Sequence, residues 1–187
     1  DMAGQARIGD PMNADTQVGP ITIEPQYHKI LEYIEIAKGE GATCVMGGGY
    51  VPAPDGNKGL FIQPTVFSNV TNDMRIAQEE VFGPVLSVLR FSDEEDAIEI
   101  ANDIKYGLAA GVWTQNLKRA ITVSERLEAG TIWVNTYRAT SYATPFGGYK
   151  ASGLGRENGM ESIKEYLQTK SIWLSSGGSV ANPYMRR

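Results

Sequence analysis

The stretch YGLAAGVWTQNLKRAITVSERLEAGTIWVN, residues 106–135, decides the fold. Residues 108–113 are short, apolar and end on Trp113, which reads as a strand. Leu117, Ala120, Ile121, Ser124 and Leu127 then recur at helical spacing, and Gly130 closes that helix before a second strand at residues 131–135. Two strands joined by a crossover long enough to hold a helix are expected to pair in parallel.

Working upstream, the alternation repeats. Residues 85–91 read as a strand, and Ser92-Asp93-Glu94-Glu95 has the spacing of a capping box, so a helix is expected from there to about Ile104, ended by Gly107. Residues 43–46 read as a short buried strand stopped by Gly47-Gly48-Gly49, and residues 61–67 as an extended run broken by Pro64. A turn-rich loop, Pro52-Ala53-Pro54-Asp55-Gly56, lies between them. Before these, Tyr27, Ile30, Leu31, Ile34 and Ala37 follow Pro25 at helical spacing, with Gly39 and Gly41 at the end. The fold class expected is α/β, with a mainly parallel sheet flanked by helices and ligands near the carboxyl ends of its strands.

Downstream, residues 136–159 are rich in glycine and aromatic side chains and have no period, which marks a functional loop. A short helix over residues 160–167, a strand over residues 171–174 and a polar tail are expected to follow. No repeat at a fixed period occurs.

The chain has 187 residues, 42% of them hydrophobic, enough for one main compact unit. Its 17 basic and 22 acidic residues give a net charge of −5 with no basic stripe, which argues against nucleic acid as a partner. There is no apolar run of bilayer length, and one cysteine, Cys44, cannot close an internal disulfide; a soluble, cytoplasmic protein is the expectation. The opening Asp1-Met2-Ala3-Gly4 looks like neither a signal peptide nor a natural start, so the chain reads as cut from something longer.

Two motifs could carry chemistry. In Glu79-Glu80-Val81-Phe82-Gly83-Pro84 a loop carboxylate can accept from both hydroxyls of a ribose, although a solvated acidic pair before a turn fits the same residues. In Pro145-Phe146-Gly147-Gly148-Tyr149-Lys150-Ala151-Ser152-Gly153-Leu154-Gly155-Arg156-Glu157 the glycines permit close backbone approach and the aromatics can line a pocket. Neither a dinucleotide fingerprint nor a phosphate-binding lysine loop matches, since Asn158 stands where a glycine is needed and Lys150 follows tyrosine. His28 reads as solvated and Cys44 as a small buried hydrophobe, and one histidine with one cysteine makes no metal cluster. The sequon Asn69-Val70-Thr71 carries no weight without a secretory signal.

These motifs, together with Tyr106 to Trp113 and Gly130 to Asn135, resemble the aldehyde dehydrogenase superfamily in that family's own order. The likeness extends from Gly9-Asp10-Pro11 through Gly59-Leu60-Phe61-Ile62-Gln63-Pro64-Thr65 to about Trp173. It implies NAD or NADP as cofactor and an aldehyde substrate that is oxidised to a carboxylic acid. It also implies that the nucleophilic cysteine, the general-base glutamate and the cofactor-binding domain lie upstream, so this chain carries no catalytic residue and is expected to be inactive alone. Residues 1–170 would be the C-terminal part of the catalytic domain, and residues 171–187 an oligomerisation strand and tail that build a homodimer or homotetramer.

By position within the motifs, the resemblance makes Glu80 the carboxylate that holds the nicotinamide ribose and Phe82 the aromatic beside the nicotinamide. Asn135 and Phe146 would belong to the substrate pocket. Many relatives carry a large aromatic where this chain has Thr140, and Arg138 adds charge to the same loop, so an aldehyde with a polar or anionic group is the expected substrate. Two rival readings share these residues: a non-catalytic assembly module, and an acylating relative that passes the acyl group to coenzyme A.

Overall fold

A computed structural model describes residues 2–53, 59–178 and 184–185. Helix α1 spans Glu24–Gly39 with proline in its first turn, where a missing N–H costs nothing. It buries Ile30, Tyr33, Ile34 and Ala37, one stripe at i, i+3, i+4 and i+7. Those side chains meet Ile62, Phe67, Val70, Ile76 and Val81 to form the main core.

The sheet under α1 has three strands in the order β1 (Thr43–Met46), β4 (Thr65–Ser68), β5 (Val85–Ser87). β1 pairs antiparallel with β4, and β4 pairs in parallel with β5 across the short helix α2, Arg75–Gln78. Being central, β4 buries alternate side chains completely: Thr65 and Phe67 are 1% and 0% exposed. The buried Thr65 hydroxyl donates to the Gln63 carbonyl and accepts from the Gly48 amide, both at 2.9 Å. Between β1 and β4, β2 (Tyr50–Val51) and β3 (Phe61–Ile62) form a small antiparallel pair. The end of the turn-rich loop expected there, Pro54-Asp55-Gly56, lies outside the described residues.

The decisive stretch folds as read. β7 (Ala109–Val112) and β8 (Thr131–Val134) pair in parallel across α4, Leu117–Arg126. Asn116 caps α4 by accepting from the Arg119 amide at 3.1 Å. Beside them β6 (Tyr106–Gly107) pairs antiparallel with β9 (Tyr149–Lys150). Helix α3, Glu94–Asn102, links β5 to β6, which β7 follows directly.

Several expectations change in detail. The α/β alternation is present, but the strands fall into separate small sheets, and among the described residues no ladder joins β5 to β7. Among the named strands, parallel pairing is confined to the two crossovers, and a single parallel bridge joins Ile8 to Val18. β1 is not buried: it is an edge strand that alternates exposed and half-buried residues, and Cys44 is half-buried rather than sealed in the core. β5 stops at Ser87 because its partner β4 ends at Ser68, and only the Val88 amide still reaches the Phe67 carbonyl. The α3 cap sits one residue later than the box predicted: Asp93 accepts from the Asp96 amide while the Asp96 carboxylate accepts from the Ser92 amide. In α4 only Ala120 is buried, while Leu117 and Ile121 are exposed. Residues Met160–Tyr166 form a 3-10 helix entered from Gly159 at φ 62°, not an α-helix. Residues 171–174 join no ladder among the described residues, and Ile172, Trp173 and Leu174 lie exposed.

Candidate functional site

Residues 79–82 run alongside α1, with Glu79 extended and Phe82 in a left-handed conformation, and their side chains alternate between engaged or buried and exposed. Glu79 is engaged, Val81 is buried in the core, and Glu80 and Phe82 point outward, with Phe82 76% exposed. A segment without a ladder must satisfy its carbonyls otherwise. Here α1 does so: Lys29 Nζ donates to the Glu80 carbonyl at 2.7 Å, and Gln26 Nε2 donates to the Val81 and Phe82 carbonyls at 2.7 and 3.0 Å. Gln26, Lys29 and Tyr33 stand at i, i+3 and i+7, one line along the helix.

Phe82 adopts φ 53°, a left-handed conformation that a bulky side chain rarely takes, and Gly83 follows so closely on Ile30 that an added Cβ would lie 2.6 Å from its Cδ1. The turn is therefore seated on α1 at both ends. Glu79 and Glu80 open onto a cavity of about 510 Å³ whose other walls include Tyr106, Leu108, Glu128 and Ser152.

The two glutamates differ in their state. The Glu79 carboxylate accepts from Arg75 Nε and Nη2 at 3.1 and 2.9 Å and from the Tyr33 hydroxyl. The Arg75 guanidinium first, and the Tyr33 hydroxyl second, hold its pKa down to about 2, while the same bond raises that of Tyr33. Among the described residues the Glu80 side chain makes no hydrogen bond or ion pair, so its oxygens are open to a ligand.

Because the folded pKa of Glu79 lies below the ordinary 4.5, its ionised form favours the folded state. That contribution is complete above the unfolded value and is lost as pH falls from 4.5 to about 2. Glu79→Gln should flatten the drop of melting temperature across this window; an unchanged acid slope would remove Glu79 from the account.

The second wall is built at the end of β8. Asn135, at φ 51°, spends its amide on Thr114: Oδ1 accepts from the Thr114 amide at 2.9 Å and Nδ2 donates to the Thr114 carbonyl at 2.8 Å. It extends the β7–β8 ladder by one side-chain pair rather than facing a pocket. The Trp133 indole donates to the Ala139 carbonyl at 2.8 Å and meets the Tyr137 ring edge-on at 5.5 Å, which curls the following loop back. Thr140 and Phe146 come together there, lining a cavity of about 330 Å³ with Ile132, Trp133, Ser141 and Thr144. Arg138 is exposed at φ 58° and does not line that cavity.

The glycine-rich motif serves mainly to bind backbone to backbone. Lys150 donates to the Asn102 and Ile104 carbonyls at 2.6 and 3.1 Å and pairs with Glu128 at 2.6 Å, which places a cation at the C-terminal end of α3. Arg156 donates to the Gly148 and Gly155 carbonyls and lies over the Tyr149 ring. His28 pairs with Glu24 on the exposed face of α1. Among the described residues, no cluster of three His, Cys, Asp or Glu is placed to hold a metal ion, and no helix is long and apolar enough to cross a membrane.

Glu80 and Phe82 thus share one outward face, and Thr140 and Phe146 share one cavity, while Asn135 and Arg138 stand apart from it. Sequence reading missed Gln26, Lys29, Tyr33 and Arg75. The polar line on α1 was a signal of a partner, but nothing in the spacing said which loop it would hold.

Residues 1–172 match the family model described as the aldehyde dehydrogenase family, and the chain belongs to that family. It is 50% identical over 178 residues to betaine aldehyde dehydrogenase of Brucella anthropi, a match that covers 95% of this chain and 36% of that protein. Betaine aldehyde dehydrogenase of Staphylococcus aureus, solved in complex with NAD+, superposes with a TM-score of 0.92 at 40% identity over 100% of this chain and 37% of its own. An aldehyde dehydrogenase of Bacillus cereus, also in complex with NAD+, gives 0.88 at 46% identity over 94% of this chain and 35% of its own. The chain therefore spans little more than a third of the length of these relatives.

Proposed function

We propose that residues 1–170 are the C-terminal part of the catalytic domain of an NAD-dependent enzyme that oxidises an aldehyde to a carboxylic acid. One observation carries the reading: Glu80, with a free carboxylate, and Phe82, 76% exposed, project side by side from a segment whose backbone is secured to α1. A carboxylate suits ribose hydroxyls and a flat ring suits a nicotinamide, so the residues fit the group. The NAD+ held by the Staphylococcus and Bacillus relatives supports NAD over NADP. Bound there, the nicotinamide would supply the hydride acceptor; the chain's own part is to hold and orient it.

The Thr140 cavity favours an aldehyde with a polar or charged group, because the hydroxyls of Thr140, Ser141 and Thr144 share it with the Trp133 indole, a surface of the kind that receives cations. Arg138 does not line that cavity, so it has no part in this reading. Similarity to betaine aldehyde dehydrogenases points the same way. Residues 171–187 are assigned as an arm for homodimer or homotetramer formation, on the exposure of Ile172, Trp173 and Leu174.

The test compares this chain with one extended upstream through its coding frame, following NADH formation over an aldehyde panel that includes betaine aldehyde. Turnover is expected from the extended chain alone, since positioning a nucleophile against its substrate supplies about 7–11 kcal/mol of the barrier reduction. Turnover by the short chain would overturn the reading. A silent extended chain that contains a cysteine would favour a non-catalytic assembly role, and product formed only with coenzyme A would favour the acylating class.

A further inference from the structure

We propose that Tyr33 and Arg75 are positioning residues for the cofactor, acting through Glu79 to fix the root of the segment that presents Glu80 and Phe82. The inference rests on the reading of Glu80 as a cofactor carboxylate.

Three side chains close a triangle. Arg75 grips both oxygens of Glu79, the Tyr33 hydroxyl donates to one of them, and Arg75 Nη2 also donates to the Tyr33 oxygen at 3.3 Å. The guanidinium carbon lies 5.2 Å from the centre of the Tyr33 ring, and Lys29, which holds the Glu80 carbonyl, approaches the same ring at 5.6 Å. Tyr33 is 9% exposed within the core stripe of α1, so the triangle is anchored to the main core.

Glu79 is one peptide from Glu80, and it is the only one of the outward pair's neighbours on this side whose side chain is tied by charge-assisted bonds at good geometry. Arg75 is itself held at both ends, since its backbone amide donates to Glu40 Oε2 at 2.9 Å. Without the triangle, Glu79 would swing on the α2 end, and Glu80 would sample positions from which it could not meet both hydroxyls of a ribose. A loss of this kind appears in cofactor binding and not in the chemical step, because no member of the triangle touches the reacting atoms.

The experiment uses the full-length enzyme with Tyr33→Phe, Glu79→Gln, the charge swap Arg75→Glu with Glu79→Arg, and Glu80→Gln as comparator. Tyr33→Phe and Glu79→Gln are expected to raise KM for NAD about tenfold, with kcat at saturating NAD within about twofold; Tm at neutral pH should fall in Glu79→Gln, which loses the ionised carboxylate, without a parallel loss of kcat. The swap should recover most of the affinity lost in Glu79→Gln. If Glu80→Gln weakens NAD while the triangle variants do not, the positioning role is wrong and the reading of Glu80 stands. If Glu80→Gln also leaves KM unmoved, that reading fails and this inference with it. A fall in Tm accompanied by parallel losses in kcat and affinity, unrelieved by the swap, would mark the triangle as merely structural and overturn the proposal.

Discussion

Phe67→Ala is expected to destabilise the chain by about 3–5 kcal/mol, the range for removing an aromatic ring from a close-packed core. Phe67 is 0% exposed, sits on the central strand β4, and belongs to the cluster that α1 covers. A cavity there cannot fill from solvent, and the walls are two backbone ladders and a helix, which collapse poorly. With folding free energies of about 5–15 kcal/mol for whole domains, the loss takes much of what holds α1 on its sheet. Urea unfolding of the two proteins measures it. A loss below about 1 kcal/mol would mean that α1 is not held by this cluster.

Gly130→Ala should cost about 4 kcal/mol or more, the exceptional end of single substitutions, although it adds one methyl group. A Cβ at Gly130 would fall inside the radius of the Gly147 carbonyl oxygen and 2.9 Å from its carbon, with the Leu108 carbonyl oxygen at 3.5 Å. All three are backbone atoms, which no rotamer change can move aside. Relief requires the backbone entering β8 and the segment at residues 146–148 to separate, and that moves Phe146 relative to Thr140. The measurements are stability and, in the extended enzyme, KM for the aldehyde, which should rise. An alanine tolerated without loss of either would show that the two backbones are not in contact.

Much of this molecule was legible because its signals are local. Helical spacing of Ile30, Ile34 and Ala37 needs only the 3.6-residue period and a core to face, and it placed α1 within a residue of its end. The strand, helix and strand of residues 106–135 likewise announce a parallel pair, because the crossover leaves no other economical pairing. Glu80 and Phe82 were singled out through resemblance; the structure leaves both side chains exposed while Glu79 is paired and Val81 is buried.

The misreadings share a cause. The apolar run of β1 reads as a buried strand, yet burial of a strand depends on whether a neighbour lies on each side, and β1 lies at the sheet edge. Leu117 and Ile121 satisfy the helical pattern but stand exposed, because a pattern names a face without saying what covers it. The amide of Asn135 pairs with Thr114, 21 residues away in sequence, a contact that no local pattern announces.

The order of elements, the family and the candidate segment at residues 79–82 can be read from the amino acids alone, since each is written in short-range spacing and motif. Only the tertiary structure decided that Gln26, Lys29, Tyr33 and Arg75 secure that segment, that Glu79 is saturated while Glu80 is free, and that Arg138 lies off the cavity of Thr140. The contacts that secure the segment are hydrogen bonds between residues about 50 positions apart, such as Lys29 with Glu80 and Gln26 with Phe82, whereas the Arg75–Glu79 pair spans one helical turn. Folding brings such donors and acceptors together to satisfy buried or ladderless backbone, and no local pattern records the match.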